Sequence, residues 1–482
     1  MTGQPAIKHG LWTGLGLVGP LQARVSGNMP DSIGDISIDT RTLKPGDLFF
    51  AILGENTDGH DYVAKALAAG AGAAVIDEAH ADALTGTGPL YVVREVLPAL
   101  ERLGQAARAR STARIAAVTG SVGKTSTKDA LALTLATQGA THASKASYNN
   151  HWGVPLTLAK MPESARYGVF EIGMNHAGEI TPLVAMVKPH VAIVTTVAPV
   201  HLEYFGSVDA IARAKGEIFS GLVKGGAAII NRDVPQFAIL QEMAKASPAG
   251  HIISFGRDSS ADAHLLSVEI FPEGTYVEAS VLGKSIKYRL GAPGQHFAEN
   301  SLAILLAARL MGLELELAAK ALEGFHAPKG RGSQTRLPIG EGHMTLLDES
   351  YNANPASMRS ALAVLGALPP GEGGRRVAIL GDMLELGDEA GPLHAELART
   401  IEIEKIDQVL CAGPNMKFLF EALPKSRRAG WFENAEALAP RVAEALQVGD
   451  VVMIKGSNSS RMGLIVQSLM HQFANSAGTG AA

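Results

Sequence analysis

Apolar runs of four to six residues, each closed by a glycine or a polar residue and followed by an amphipathic stretch, recur along the chain. RIAAVTG (114–120), YGVFEIG (167–173), HVAIVTTV (190–197) and GGAAIIN (225–231) read as strands buried on both faces. Helical patterns separate them, so a mostly parallel sheet wrapped by helices is expected, the α/β class. The theme returns in RRVAILGD (375–382), IDQVLCAG (406–413) and GDVVMIKGS (449–457), each a strand entering a glycine-containing loop and then a helix. Nearer the start, DLFFAIL (47–53) and AAVIDE (73–78) flank the helical HDYVAKALAAGA (60–71), with TDGHD as a capping loop. That predicts a small α/β unit, and LPALERLGQAARAR (97–110) reads as an amphipathic helix leading into the next.

Length then divides the picture. A chain of 482 residues is too long for one ordinary core, and roughly three domains are expected. The pattern places them at 1–94 (small N-terminal α/β domain), 95–330 (central domain with the phosphate loop) and 331–482 (C-terminal Rossmann-like α/β domain). The final NSAGTGAA is expected to be a disordered tail.

Composition excludes several function classes. With 42 basic and 47 acidic residues, a net charge of -5 and no long run of either sign, the chain lacks an electrostatic footprint for nucleic acid or an anionic membrane. The single cysteine, Cys411, rules out an intramolecular disulfide framework and fits a reducing compartment. No secretion signal is read at the start, and the apolar SLAILLAARLMGLELELAA is broken by Arg309 and Glu314 before it reaches membrane-spanning length. A soluble cytoplasmic protein is expected.

The chemistry begins at VTGSVGKTSTKD (118–129). The common phosphate-binding loop reads G-x-x-x-x-G-K-[ST], its glycines letting successive N–H groups curl around phosphate. Gly123, Lys124 and Thr125 fit, but Val118 stands where the first glycine belongs and Gly120 appears instead. Glu171, ending an apolar strand in VFEIGMNHAGEI, is a carboxylate without a packing role and reads as a Mg²⁺ ligand or as a helix-capping acid. His201 closes the next strand as a structural histidine or a second metal ligand, and Lys215 in IARAKGEIF is a surface lysine or one converted to a carbamate that binds Mg²⁺. Asn149 and Asn150 in KASYNNHWGVPLTL, and Asp348, Tyr351, Asn352 and Asn354 in DESYNANP, fit either turns or ligand contacts. Arg331 in KGRGS suits the charge of a transferring phosphoryl group or a solvated linker.

These segments together resemble the ATP-dependent Mur ligases of peptidoglycan synthesis, whose phosphate loop is a shortened T-G-x-x-G-K-[TS], here TGSVGKTS (119–126). The likeness extends through SIDTR, PGDLFFAILGENTDGHD, NNHWGVPLTL, HLEYFGSVDAIARAKGEIF and KGSNSSRMG, while YNANP and GDMLELG are hallmarks of the branch that joins D-alanyl-D-alanine to UDP-N-acetylmuramoyl-tripeptide. It implies amide formation through an acyl phosphate, with ATP and Mg²⁺ as cofactors and small molecules as the partners of a monomer. Residue by residue, it implies that Gly120, Ser121, Val122, Gly123, Lys124, Thr125 and Ser126 hold the ATP phosphates, and that Asn300 lies beside adenine. Arg331 and Asp348 would meet the γ-phosphate and ribose, while Thr125, Glu171, His201 and a carbamylated Lys215 would serve Mg²⁺. Lys124, His201, Lys215 and Arg331 would carry catalysis. Ser37, Thr40 and Arg41 would touch the uridine nucleotide, and Asn149, Asn150, Tyr351, Asn352 and Asn354 the other substrate groups. A sister ligase of the family, a folate polyglutamylating ligase and a phosphate-loop ATPase that drives a partner remain the competing readings.

Overall fold

The computed structural model describes residues 10–145, 147–200 and 202–474. His201 and the tail NSAGTGAA lie outside the described residues. Among the described residues, three sheets of five, nine and six strands follow one another along the chain, together with a two-stranded pair near the start.

The first unit is a five-stranded sheet in which Ile36–Ser37, Leu48–Phe50, Ala73–Asp77 and Leu90–Val93 run parallel and Arg24–Ser26 pairs antiparallel at the edge. Helix Val96–Arg110 packs Val96, Ala99, Leu100, Leu103 and Ala107 into this unit's core. Leu156 and Ala159 of the following unit share that core. Polar contacts reinforce the join: Trp12 Nε1 donates to the Ala159 carbonyl at 2.9 Å, and Lys160 Nζ to that of Ile36 at 2.8 Å. The guanidinium of Arg110 stacks 3.4 Å over the Trp12 ring.

Alternation along Arg114–Thr119 shows how the central sheet is covered. Ile115 and Ala117 enter one core with helices Gly153–Ala159, Ile180–Val187 and Val208–Gly216, while Ala116 and Val118 enter another with Lys124–Ala136 and Gln295–Leu310. Successive strand side chains point to opposite faces, so an uninterrupted apolar run is what a sheet covered on both sides demands. Arg114–Thr119 lies between Tyr167–Glu171 and Val191–Val194, parallel to both. Chain direction across the sheet reverses there, and in open α/β sheets such a switch point opens a crevice at the carboxyl ends of the strands.

The expected mostly parallel sheet gains an antiparallel extension. Gly274–Val281 pairs antiparallel with both Ala263–Phe271 and Lys284–Leu290. Leu282 (φ 51°) and Gly283 (φ 79°) make the tight turn between the last two strands, the left-handed pair that two-residue hairpins favour. The third unit repeats the α/β design, with Gly342–Glu349, Val451–Lys455, Arg376–Gly381, Gln408–Ala412 and Arg428–Phe432 parallel in that spatial order and Ser333–Ile339 antiparallel at the edge.

Candidate active site

Where Arg114–Thr119 ends, Gly120 adopts φ 151° and Gly123 φ 85°. A Cβ at Gly120 would sit 1.9 Å from Thr195 Oγ1, and one at Gly123 would sit 2.6 Å from Asn300 Nδ2, so both backbone freedom and space require glycine. Neighbouring strands fix the loop between them: Ser121 N donates to the Thr196 carbonyl at 2.9 Å, and Thr195 Oγ1 to that of Val122 at 2.6 Å. Helix Lys124–Ala136 starts directly after Gly123. Its free N–H groups and dipole favour an anion at that end. Lys124 Nζ folds back onto the Gly120 carbonyl at 2.7 Å, and burial pulls its ammonium below the ordinary lysine range, Glu171 opposing the shift and Arg331 adding to it.

Glu171 ends the adjacent strand with 1% exposure. Its carboxylate accepts from Thr125 Oγ1 at 2.8 Å and from Asn149 Nδ2 at 2.7 Å. Hydroxyl and carboxylate thus meet at the helix start, a hard-oxygen pair of the kind Mg²⁺ takes beside phosphate oxygens. One turn further along, Lys128 reaches the Ser144 carbonyl at 2.7 Å, and Ser144 Oγ accepts from Glu171 N at 3.3 Å. Lys215, 3% exposed, is pushed well below the ordinary lysine range by burial and then by the charge of Lys124. No hydrogen bond or ion pair joins its side chain to another described residue.

The C-terminal unit builds the facing wall of a cleft of 370 Å³ that includes Lys124, Glu171, Arg331, Tyr351 and Lys455. Arg331 Nη2 donates to Ser147 Oγ at 3.1 Å and its guanidinium lies 3.9 Å over the Tyr351 ring. Asn149, Asn352 and Asn354 also line it. Asn354 already caps helix Pro355–Ala367, accepting from Ser357 N at 2.9 Å, and Asn352 Oδ1 accepts from Ala353 N at 2.9 Å. Asn150 serves a turn, accepting from Gly153 N at 2.9 Å.

Other expected site residues sit apart from this cleft. Asn300 lines a small cavity behind the loop with Phe297 and Phe325. Asp348 faces a second, 680 Å³ groove with Lys329 and Arg461, and accepts from Gly330 N at 2.9 Å and Ser350 Oγ at 2.6 Å. Ser37, Thr40 and Arg41 belong to the first unit, where Ser37 Oγ donates to the Asp39 carbonyl at 2.9 Å and Arg41 pairs with Asp39 at 2.6 Å. Sequence reasoning missed Lys455, Glu349 and His296, which line the cleft. The strand entering KGSNSS was a signal for Lys455 and DESYNANP contains Glu349, whereas His296 carries no local motif.

One cluster elsewhere gathers metal-type donors: atoms of Asp58, His60 and His80 lie within 4.8 Å of one another. His60 Nε2 accepts from Asp77 N at 3.2 Å, which puts its proton on Nδ1, 2.6 Å from Asp58 Oδ1. Its nitrogens are both committed, so these contacts tie two short turns together and leave the hard-oxygen pair at Thr125 and Glu171 as the better Mg²⁺ site.

Comparison with known proteins agrees with this geometry. Family models match in chain order: the Mur ligase family catalytic domain over residues 32–111, the Mur ligase middle domain over 118–308 and the Mur ligase glutamate ligase domain over 336–458. The UDP-N-acetylmuramoyl-tripeptide--D-alanyl-D-alanine ligase of Escherichia coli is 34% identical, over 90% of this chain and 93% of its own. Its counterpart from Rickettsia prowazekii is 33% identical, over 90% and 94%. A crystal structure of MurF from Acinetobacter baumannii superposes with a TM-score of 0.82 at 30% identity, covering 95% of this chain and 99% of that one. The shortened phosphate loop, the Glu171 carboxylate beside it and the closing C-terminal unit therefore have one common explanation: the chain belongs to the Mur ligase family.

Proposed function

We propose that this chain is an ATP-dependent amide ligase that joins D-alanyl-D-alanine to UDP-N-acetylmuramoyl-tripeptide through an acyl phosphate, giving the pentapeptide precursor of peptidoglycan. The observation that carries the reading is a single cleft with a phosphate loop on one wall and Arg331, Tyr351 and Lys455 on the other. A carboxylate resists attack by an amine because oxide is a prohibitive leaving group near neutral pH. Transfer of the γ-phosphoryl group of ATP to the peptide carboxylate supplies a better one, and the dipeptide amine then displaces phosphate through a tetrahedral intermediate.

Roles follow from position. Residues Gly120 to Ser126 cradle the phosphates, and Lys124 and Arg331 neutralise the charge that develops on the transferring group. Thr125 and Glu171 would hold Mg²⁺, which when bound offsets phosphate charge. His201 and Lys215 complete the proposed metal and catalytic set, Lys215 as a carbamate. Its burial supports that assignment, since burial favours the neutral amine, which is the form that adds CO₂. Asn300 is assigned to the adenine side and Asp348 to ribose. Ser37, Thr40 and Arg41 are assigned to the uridine nucleotide, with the unit that contains them as the handle-binding domain of the three (1–94, 95–330 and 331–482). Asn149, Asn150, Tyr351, Asn352 and Asn354 are assigned to the remaining substrate contacts; the turn and cap bonds of Asn150 and Asn354 leave their NH₂ groups for that purpose.

Holding the reactants in line is worth about 7–11 kcal/mol in such sites, and closure over the cleft keeps water from the acyl phosphate. Both cleft walls come from one chain, which supports action as a monomer. Among the described residues no helix is long and apolar enough to cross a membrane, and nucleotide-linked substrates with a lone buried cysteine support a cytoplasmic setting. Incubation of the purified chain with ATP, Mg²⁺, the tripeptide nucleotide and D-alanyl-D-alanine should yield one pentapeptide product by mass spectrometry. A product formed with a free amino acid but not with the dipeptide would move the assignment to a sister ligase.

A further inference from the structure

Strands Gly342–Glu349 and Val451–Lys455 pair in parallel with Glu349 opposite Lys455 at their carboxyl ends. Both side chains line the cleft, with 8% and 2% exposure. Lys455 Nζ donates to Glu349 Oε2 at 3.0 Å and to the Asn352 carbonyl at 3.0 Å. An ammonium has three donors, so among the described residues one N–H is left uncommitted on the cleft wall.

A buried ion pair is a poor stabiliser, because desolvation offsets most of the attraction, and an apolar pair would close these strand ends as well. The cations of the cleft are also not equivalent. Lys124 belongs to the phosphate loop and Arg331 bridges to Ser147 of the central unit. Lys455 alone among these three stands on a strand of the C-terminal sheet, on the wall facing the phosphate loop.

The incoming dipeptide carries a carboxylate that takes no part in the bond being made. Bringing that charge into a water-poor cleft requires a cationic partner with a free donor. We propose that Lys455, held in place by Glu349 and the Asn352 carbonyl, binds the free carboxylate of the incoming D-alanyl-D-alanine and so selects an amine donor with a charged carboxyl terminus. The inference rests on the ligase reading above. Glu349 acts as a positioning residue that keeps the ammonium aimed into the cleft. His296, on the same wall, is held towards its neutral form by burial, with Glu349 opposing and Lys455 adding to the shift, so it does not duplicate the charge of Lys455.

The test is steady-state kinetics of the full chain with D-alanyl-D-alanine and with its C-terminal amide, for wild type, Lys455→Met and the double variant Lys455→Met/Glu349→Gln. The double variant removes both charges at near-constant volume, so it guards against a fold disturbed by an orphaned carboxylate. Wild type should prefer the carboxylate by roughly 10–100-fold in kcat/KM, the range of a charge-assisted hydrogen bond. Both variants should lose that preference by raising the dipeptide KM, with the amide, ATP and tripeptide-nucleotide KM values unchanged. Discrimination retained in both variants, or a KM increase for the tripeptide nucleotide instead, overturns the inference while leaving the ligase reading intact. Wild type that ligates neither compound overturns the ligase reading and this inference with it.

Discussion

Gly123 is the residue where backbone, packing and ligand chemistry meet most tightly. Its φ of 85° is left-handed, and a Cβ would press on the Asn300 amide at 2.6 Å. Alanine there should therefore cost about 1 kcal/mol or more in stability and weaken ATP binding at least about tenfold, which thermal melts and nucleotide titration would show together. Lys124→Ala should abolish turnover with the circular dichroism spectrum unchanged, because among the described residues its ammonium hydrogen-bonds to the Gly120 carbonyl and its loss leaves the loop's other bonds in place. Glu171→Gln should raise the Mg²⁺ concentration needed for half-maximal activity; an unchanged Mg²⁺ titration would remove Glu171 from the metal site. At this scale legibility followed locality. The loop and Glu171 stood out because each is a short motif at a strand end, whereas Lys455 and Glu349 become neighbours only through strand pairing across 106 positions of chain.

Among elements, the helix Pro355–Ala367 shows how one residue can belong to both structure and site. Asn354 forms a capping box with Ser357 and also lines the cleft. Asn354→Ala should cost about 1 kcal/mol of stability, measured as a fall in denaturation midpoint. The turns at Gly59–Tyr62 and Glu78–His80 are joined by histidine–aspartate contacts, with His60 and His80 stacked at 3.9 Å. The hydrogen bond to Asp77 and the nearby Asp58 charge hold His80 above the ordinary histidine range. A raised folded value means that this contribution is complete below the unfolded value near 6.5 and is lost as pH rises through the folded one. Replacing His80 by Gln should therefore lower the melting temperature below pH 6.5 and converge on wild type at higher pH; a deficit that is the same at every pH would contradict this linkage. Continuous apolar runs made the parallel strands legible. The antiparallel pair Gly274–Val281 and Lys284–Leu290 went unread although its burial alternates along TYVEASV and KSIKYRL, because a two-residue period is easily lost among longer apolar runs.

For the whole molecule, the three units have different kinds of join. The first and second share a continuous apolar core through Val96–Arg110, Leu156 and Ala159. Across the cleft, the second and third meet through the Arg331 to Ser147 hydrogen bond and through helix Gln295–Leu310 against helix Pro355–Ala367. A continuous apolar core resists relative motion of the units it joins. The order of the units and their α/β class were legible from recurring strand and loop patterns, but the joins between them were not, since they depend on which helix faces which core. The measurement that tests the account most directly is phosphate release from ATP and Mg²⁺, with UDP-N-acetylmuramoyl-tripeptide and D-alanyl-D-alanine added singly and together. Release only with both, matched by equimolar pentapeptide, is the predicted result. Sustained release with neither would contradict it and make the chain an ATPase whose cleft forms no amide bond.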